Sequence, residues 1–248
     1  MVDDNRLERQ AVLLGETGSR KISEVTLGIV GLSGNGSPLA LGAACAGFQK
    51  FKLFDPDKLE PSNCNRFFAG GINDVGKYKV ELVKAAIKSI DPLIHCKSFP
   101  LDVRVPDIHN ELAGCDFILA CPDNDDCRAF LQAFCLAHGI PILEVGSGVV
   151  VRDSAVWMLG CKMSFYQPGK ACLGCISLDD EPMAQSHQSF VGVNMVAAGL
   201  ALITLVGYVT GRWETKNFAA FNALEQDMLS MQVERRAGCP FCGTKVKG

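Results

Sequence analysis

A short apolar run, residues 27–30, breaks into closely spaced glycines at Gly31, Gly34 and Gly36, and this break constrains the chain more than any other feature. A strand that ends in so tight a turn must hand over to a helix packed close against it, which is the βα junction of nucleotide-binding folds. Gly31 suits the tight turn, Ser33 takes the place of the fingerprint's second glycine, and Gly36 lets the helix approach the strand, giving G-x-S-x-x-G. Asp55 stands nineteen residues beyond Gly36, at the end of a second apolar run, where such folds place the acid that binds ribose hydroxyls.

The rest of the chain alternates in the same way. Strands are expected at 27–30, 51–54, 93–97, 116–120 and 142–145, and helices at 38–47, 77–90, 107–112 and 127–138. Beyond 145, strands at 149–151, 155–165, 217–224 and 227–233 lack intervening helices, apart from an apolar segment at 191–209, so they read as antiparallel additions. The expected fold is α/β and Rossmann-like: a mostly parallel sheet flanked by helices, with C-terminal antiparallel strands. A single domain over 1–248 is expected, with a nucleotide-binding half at 1–150 and an antiparallel, zinc-binding half at 151–248. An amphipathic helix is expected at 3–18, with Leu7, Val12 and Leu14 apolar.

Three places carry polar residues that this scaffold does not need. Residues 55–68 are too irregular for a helix or strand and gather Asn63, Asn65 and Arg66. Lys79 falls about 40° around its helix from Val83, close to the stripe of Val80, Val83, Ile87 and Ile90. A lysine there opposes the helix dipole and calls for a bound anion, or else it snorkels outward. Asp123 follows the strand 116–120 and so falls at the same rim as the glycine turn and Asp55, with Asp125 or Asp126 expected to cap the next helix.

Cysteine usage bears on the other end of the chain. Twelve cysteines without a secretion signal point to a reducing, cytoplasmic setting. The pairs Cys172/Cys175 and Cys239/Cys242 have the spacing of a structural zinc site with four thiolate ligands. Cys45 and Cys135 read as packed thiols, and the four histidines form no ligand spacing and read as surface or capping residues. A net charge of −3 with no basic cluster argues against a nucleic-acid partner. Segment 191–209 is long enough to span a bilayer, but Gly192, Asn194, Gly199, Thr204 and Gly207 dilute it, so a buried helix rather than a membrane span is expected.

Taken together, these motifs resemble the ThiF/MoeB family, which is similar in fold to the adenylation domain of ubiquitin-activating enzymes. The resemblance rests on R-x-x-R-Q at 6–10, GLSGNGSP at 31–38, the D-x-D of Asp55 and Asp57, SNCNR at 62–66, GKYK at 76–79, Asp123-Asn124 and the two C-x-x-C pairs. It implies an ATP-dependent adenylyltransferase in which a carboxylate, usually the C-terminus of a small ubiquitin-like or sulfur-carrier protein, attacks the α-phosphate to give an acyl-adenylate and pyrophosphate. It implies that Arg66, Lys79 and an arginine among Arg6 and Arg9 neutralise phosphate charge, that Asp123 holds Mg²⁺, and that Asp55 takes the ribose. Asn63 would make a polar contact to phosphate or ribose, and Gly31, Ser33, Gly34, Gly36 and Asp57 would complete the ATP site. A homodimer is also implied, with Arg6 or Arg9 reaching the neighbour's ATP and the 191–209 helix in the interface.

The sequence departs from the family at Ser33, where a glycine is usual, and at Phe67, where glutamine is usual. No cysteine lies between Cys175 and Cys239, so the enzyme is expected to stop at the adenylate without a thioester of its own. Cys64 and Cys121 are the rival nucleophiles, and Ser186 or Ser189 beside His187 make a thin alternative. A silent scaffold subunit would have no use for Arg66, Lys79 and Asp123 together. A zinc-bearing dehydrogenase would require a proton-transfer pair that is not evident.

Overall fold

The computed structural model describes residues 5–176 and 188–243. In chain order the elements are α1 (Glu8–Glu24), β1 (Thr26–Val30), α2 (Gly36–Ala46), β2 (Lys50–Phe54), α3 (Lys79–Ile90), β3 (His95–Phe99), α4 (His109–Ala113), β4 (Phe117–Ala120) and α5 (Asp125–His138). There follow β5 (Ile142–Arg152), β6 (Ala155–Tyr166), α6 (Leu173–Ile176), α7 (Val191–Thr210), β7 (Phe218–Asn222) and β8 (Asp227–Met231). The eight strands form one sheet in the order β3-β2-β1-β4-β5-β6-β7-β8. Pairing is parallel from β3 to β5 and antiparallel from β5 to β8. The chain winds outward from β1 through β2 to β3, then returns to place β4 on the other side of β1. That reversal opens a crevice at the carboxyl ends of β1 and β4, where α/β sheets bind their ligands.

Period-two alternation sorts the strand side chains into two cores. Leu27, Ile29, Phe51, Leu53, Phe117 and Leu119 join the helices α2, α3 and α7 on one face. Val30, Phe54, Ile118 and Ala120 join α4, α5 and α6 on the other. Each fully buried Leu, Ile or Phe contributes roughly 1.5–3 kcal/mol, so both faces of the sheet are held. The helix α7 passes a length and composition test for a membrane span, yet half of it is buried inside the fold. Ala197, Ala198 and Ala201 are small enough to let it press on Leu39, Ala40, Ala43 and Ala44 of α2. Met195, Gly199 and Ile203, spaced by four, form its exposed stripe.

Several expectations are corrected. Segments 142–145 and 149–151 are not separate strands: β5 runs unbroken through Gly146 and Gly148 because β6 pairs with it along its whole length, with an irregularity between Val150 and Val151. Asn124, not Asp125 or Asp126, caps α5, its side-chain oxygen accepting from the Cys127 amide at 2.8 Å. Cys135 is packed as expected, but Cys45 is exposed. The first helix runs to Glu24 with a break at Gly15 (φ 64°, ψ 174°). Arg212 fills that break by donating Nε and Nη2 to the Leu14 carbonyl at 3.0 and 2.6 Å. Val12, expected on an apolar face, is 95% exposed.

Candidate nucleotide site and cysteine cluster

Two glycines of the loop after β1 are there because nothing larger fits. Gly31 has φ +80°, and a Cβ on it would lie 2.6 Å from the Cys121 carbonyl oxygen; a Cβ on Gly36 would lie 1.8 Å from the Gly31 oxygen. The loop is closed by Ser37, whose amide and hydroxyl both donate to the Ser33 carbonyl, at 3.0 and 2.8 Å. Its hydroxyl oxygen also accepts from the Phe68 amide at 3.1 Å, tying the loop to the 55–68 segment. The amides of Ser33, Gly34 and Asn35 donate to no acceptor among the described residues. Three adjacent free donors ahead of a helix are an anion cradle in waiting.

The charged residues gather around this cradle from neighbouring strand ends. Asp55, 4% exposed at the end of β2, accepts from the Leu32 amide at 2.6 Å and from the Asp57 amide at 2.8 Å. Burial pushes its carboxyl above the usual range, while the Lys79 charge and these two amides pull the other way. The carboxylate thus braces the glycine loop, a task its sequence position did not announce. Lys79 is buried and pairs with Asp57 at 2.9 Å, so the outward-snorkelling alternative is overturned. The Asp57 side chain remains 61% exposed. Arg66 is anchored through Nη1 to the Ser62 carbonyl at 2.7 Å and to Asn65 Oδ1 at 3.0 Å, and its Cδ lies beside Gly34.

Other expected site residues sit differently. Asn63 is buried with its Oδ1 accepting from the Glu60 amide at 3.2 Å, which caps the 3-10 turn Pro61–Asn63. Asp123 is exposed just past the end of β4, its carboxylate without a protein partner among the described residues. Arg6 is turned inward, donating to the Ala44 carbonyl at 2.9 Å and pairing with Asp91 at 3.1 Å. Arg9 is exposed. Ser186 and His187 lie outside the described residues.

A polar cluster that the sequence reading missed joins the loop to β5 and α7. Asn194 Nδ2 donates to Asn35 Oδ1 at 2.9 Å and to Ser147 Oγ at 2.7 Å, and its Oδ1 accepts from Ser189 Oγ at 3.0 Å. An asparagine in an otherwise charge-free helix was the signal that could have found it. Next to Ser147 opens a cleft of about 310 Å³ over β5, β6 and β7, lined by Gly146, Ser147, Cys161, Phe221 and Leu229 among others.

In the core shared with α4, α5 and α6 the two C-x-x-C pairs meet. The Sγ atoms of Cys172, Cys175, Cys239 and Cys242 all lie within 4.8 Å of one another, and three of the four residues are buried. Cys172 approaches Cys239 at 3.5 Å and Cys175 approaches Cys242 at 3.4 Å. The Arg236 amide points at the Cys175 sulfur from 3.4 Å, a donor of the kind that orients a metal ligand. Four converging soft donors fit a tetrahedral ion with no position left open.

Known proteins share this architecture. The E. coli (strain K12) sulfur carrier protein ThiS adenylyltransferase is 26% identical over 97% of this chain and 96% of its own length. The E. coli (strain K12) molybdopterin-synthase adenylyltransferase is 29% identical over 96% of each. Among solved structures, E. coli MccB with ATP has a TM-score of 0.81 at 20% identity, covering 96% of this chain and 74% of that one, a likeness of fold. The ThiF family model matches residues 7–241, from the first helix through the glycine loop to Phe241, and the chain belongs to the ThiF family.

Proposed function

We propose that the protein is an ATP-dependent adenylyltransferase that activates the C-terminal carboxylate of a small ubiquitin-like or sulfur-carrier protein. The observation that carries this reading is the set of amides at Ser33, Gly34 and Asn35 unpartnered among the described residues, with Arg66 beside them, Lys79 at the start of α3 and Asp123 past the end of β4. An anion cradle flanked by two cations and a free carboxylate suits a polyphosphate with its metal. In this reading a carboxylate oxygen of the acid attacks the α-phosphorus, the bond to the β-phosphate breaks, and pyrophosphate leaves with the electron pair. The loop amides and Arg66 take up the charge on the phosphate oxygens, and Asp55 accepts from the ribose hydroxyls with the lone pairs its two amide contacts leave over.

Asp123 would hold Mg²⁺, since an unpaired, exposed carboxylate is the hard oxygen donor that ion prefers. The ion would neutralise the departing pyrophosphate. The cysteine cluster would hold one structural Zn²⁺. A homodimer is supported by exposed Val12 and Leu13 on α1 and by Met195 and Ile203 on α7, with exposed Arg9, rather than inward-turned Arg6, reaching the partner's ATP. The enzyme would stop at the adenylate: burial pushes the Cys121 thiol up to about 12, which leaves it protonated, and Cys64 donates its thiol to the Glu60 carbonyl at 3.6 Å.

The test is ATP–pyrophosphate exchange with a small carrier protein ending in Gly-Gly. Exchange is expected only with the carrier present, and intact mass should show no thiol-sensitive adduct between enzyme and carrier. ATP bound without any exchange would favour a silent subunit instead, and exchange that ignores the carrier would show that the acid is something other than the carrier protein.

A further inference from the structure

Where the glycine loop meets the β5–β7 cleft, the side chains of Asn35, Ser147, Ser189 and Asn194 converge, and of these residues only the Asn35 backbone is used for phosphate above. Asn194 is only 2% exposed, and burying an asparagine is tolerated because its amide is satisfied on both sides. Ser147 Oγ donates in turn to Asn35 Oδ1 at 2.9 Å, so that oxygen receives two hydrogen bonds. With Oδ1 receiving both donors, the Asn35 Nδ2 is directed away from Ser147 and Asn194. That nitrogen is left with no acceptor among the described residues. The arrangement does not serve the helix that follows, because the Asn35 side chain makes no capping bond to α2.

We infer that the Asn35 side-chain amide donates to one oxygen of the acid substrate's carboxylate, with Asn194 and Ser147 as positioning residues. The inference rests on the adenylation reading. Two observations favour the acyl group over the phosphates. The backbone amides of Ser33, Gly34 and Asn35, with Arg66 beside them, already address phosphate. Ser147, which holds the amide in place, lines the cleft beside the loop, so the donor stands where an extended chain in that cleft would bring its carboxylate to the nucleotide. A neutral donor suits the chemistry: it orients the carboxylate through one oxygen without quenching its charge. The other oxygen attacks the α-phosphorus, the bond to the β-phosphate breaks, pyrophosphate departs with the electron pair, and no proton moves.

The experiment compares, on the full chain, the affinity for MgATP with that for 5′-O-(glycylsulfamoyl)adenosine, a stable mimic that carries the acyl oxygen. Asn35→Ala and Asn35→Asp should each weaken the mimic by about three- to tenfold, the worth of one hydrogen bond, and weaken ATP, which meets only the Asn35 backbone, by less than the mimic. Asn194→Leu and Ser147→Ala should shift the mimic in the same direction and leave ATP alone. A merely structural role would lower the melting temperature and weaken both ligands together. Should Asn194→Leu fail to fold, Ser147→Ala and the Asn35 variants carry the test. Equal losses for both ligands, or no loss in either Asn35 variant, would overturn the inference. Wild-type protein that binds neither ligand would overturn the adenylation reading itself, and this inference with it.

Discussion

The glycine loop and the cysteine cluster are each assembled from segments far apart in sequence, yet one is left open and the other closed. At the loop the backbone is fixed by contacts that admit no side chain at Gly31 or Gly36, while amides and a carboxylate are left without partners among the described residues. At the cluster the four thiols have mainly one another. Unpartnered donors on a rigid frame fit a ligand that comes and goes. A complete tetrahedral set fits an ion that stays, because no position remains for a substrate.

Variants should therefore separate along this line. The largest effect is expected from Cys172→Ser combined with Cys239→Ser, which should abolish metal binding and lower Tm by roughly 10 °C, while ATP affinity of the surviving folded fraction holds. Calorimetry with elemental analysis checks this; an unchanged melting temperature after the metal is lost would erase the distinction. Next, Asp123→Ala should reduce pyrophosphate exchange by roughly 100-fold with little change in Tm, since an exposed side chain without partners contributes little to stability. Asp55→Ala should weaken ATP by about tenfold and, unlike Asp123→Ala, also loosen the loop, which amide exchange at Leu32 would report.

Asp55 also gives the rim a pH dependence. Its folded pKa is raised, so the folded chain holds this proton more tightly than the unfolded chain does. The group therefore adds stability as pH falls from the raised value toward about 3.9, and that gain is lost as pH rises back through the folded value. Ligand binding runs the opposite way, because a protonated Asp55 loses acceptor capacity. ATP affinity should start to fall at a pH above the usual carboxylate range, and titration calorimetry across a series of falling pH values would show it. On exchange the smallest effect is expected from Arg212→Ala, which frees the Leu14 carbonyl and should cost about 1.5–3 kcal/mol of stability while leaving exchange untouched.

Much of this was legible in the sequence, and the limits have physical reasons. The parallel half could be read because each strand and helix carries its own period and the glycine turn marks the switch between them. The family reading, from seven short motifs in order, is borne out by the match over residues 7–241. The continuity of β5 was not legible, because Gly146 and Gly148 resemble breakers and only the pairing with β6 carries the strand through them. Nor was the bracing role of Asp55, which depends on a backbone amide twenty-three residues away in the chain. The Asn35–Ser147–Asn194 cluster was invisible for the same reason: each member alone is an ordinary polar residue, and only the fold brings them together.

The separation of the cysteine pairs also sets an order in time. By the time Cys239 and Cys242 are synthesised, every strand up to β8 has already been made. An ion held there would close its site only around a sheet whose strands are all present, so its bonds are expected to form in the last stage of assembly, after the folding transition state. Interactions formed that late act on the rate of leaving the native state rather than on the rate of reaching it. Chelation should hasten unfolding and leave the refolding rate nearly untouched, the behaviour of a lock on the lifetime of the finished protein.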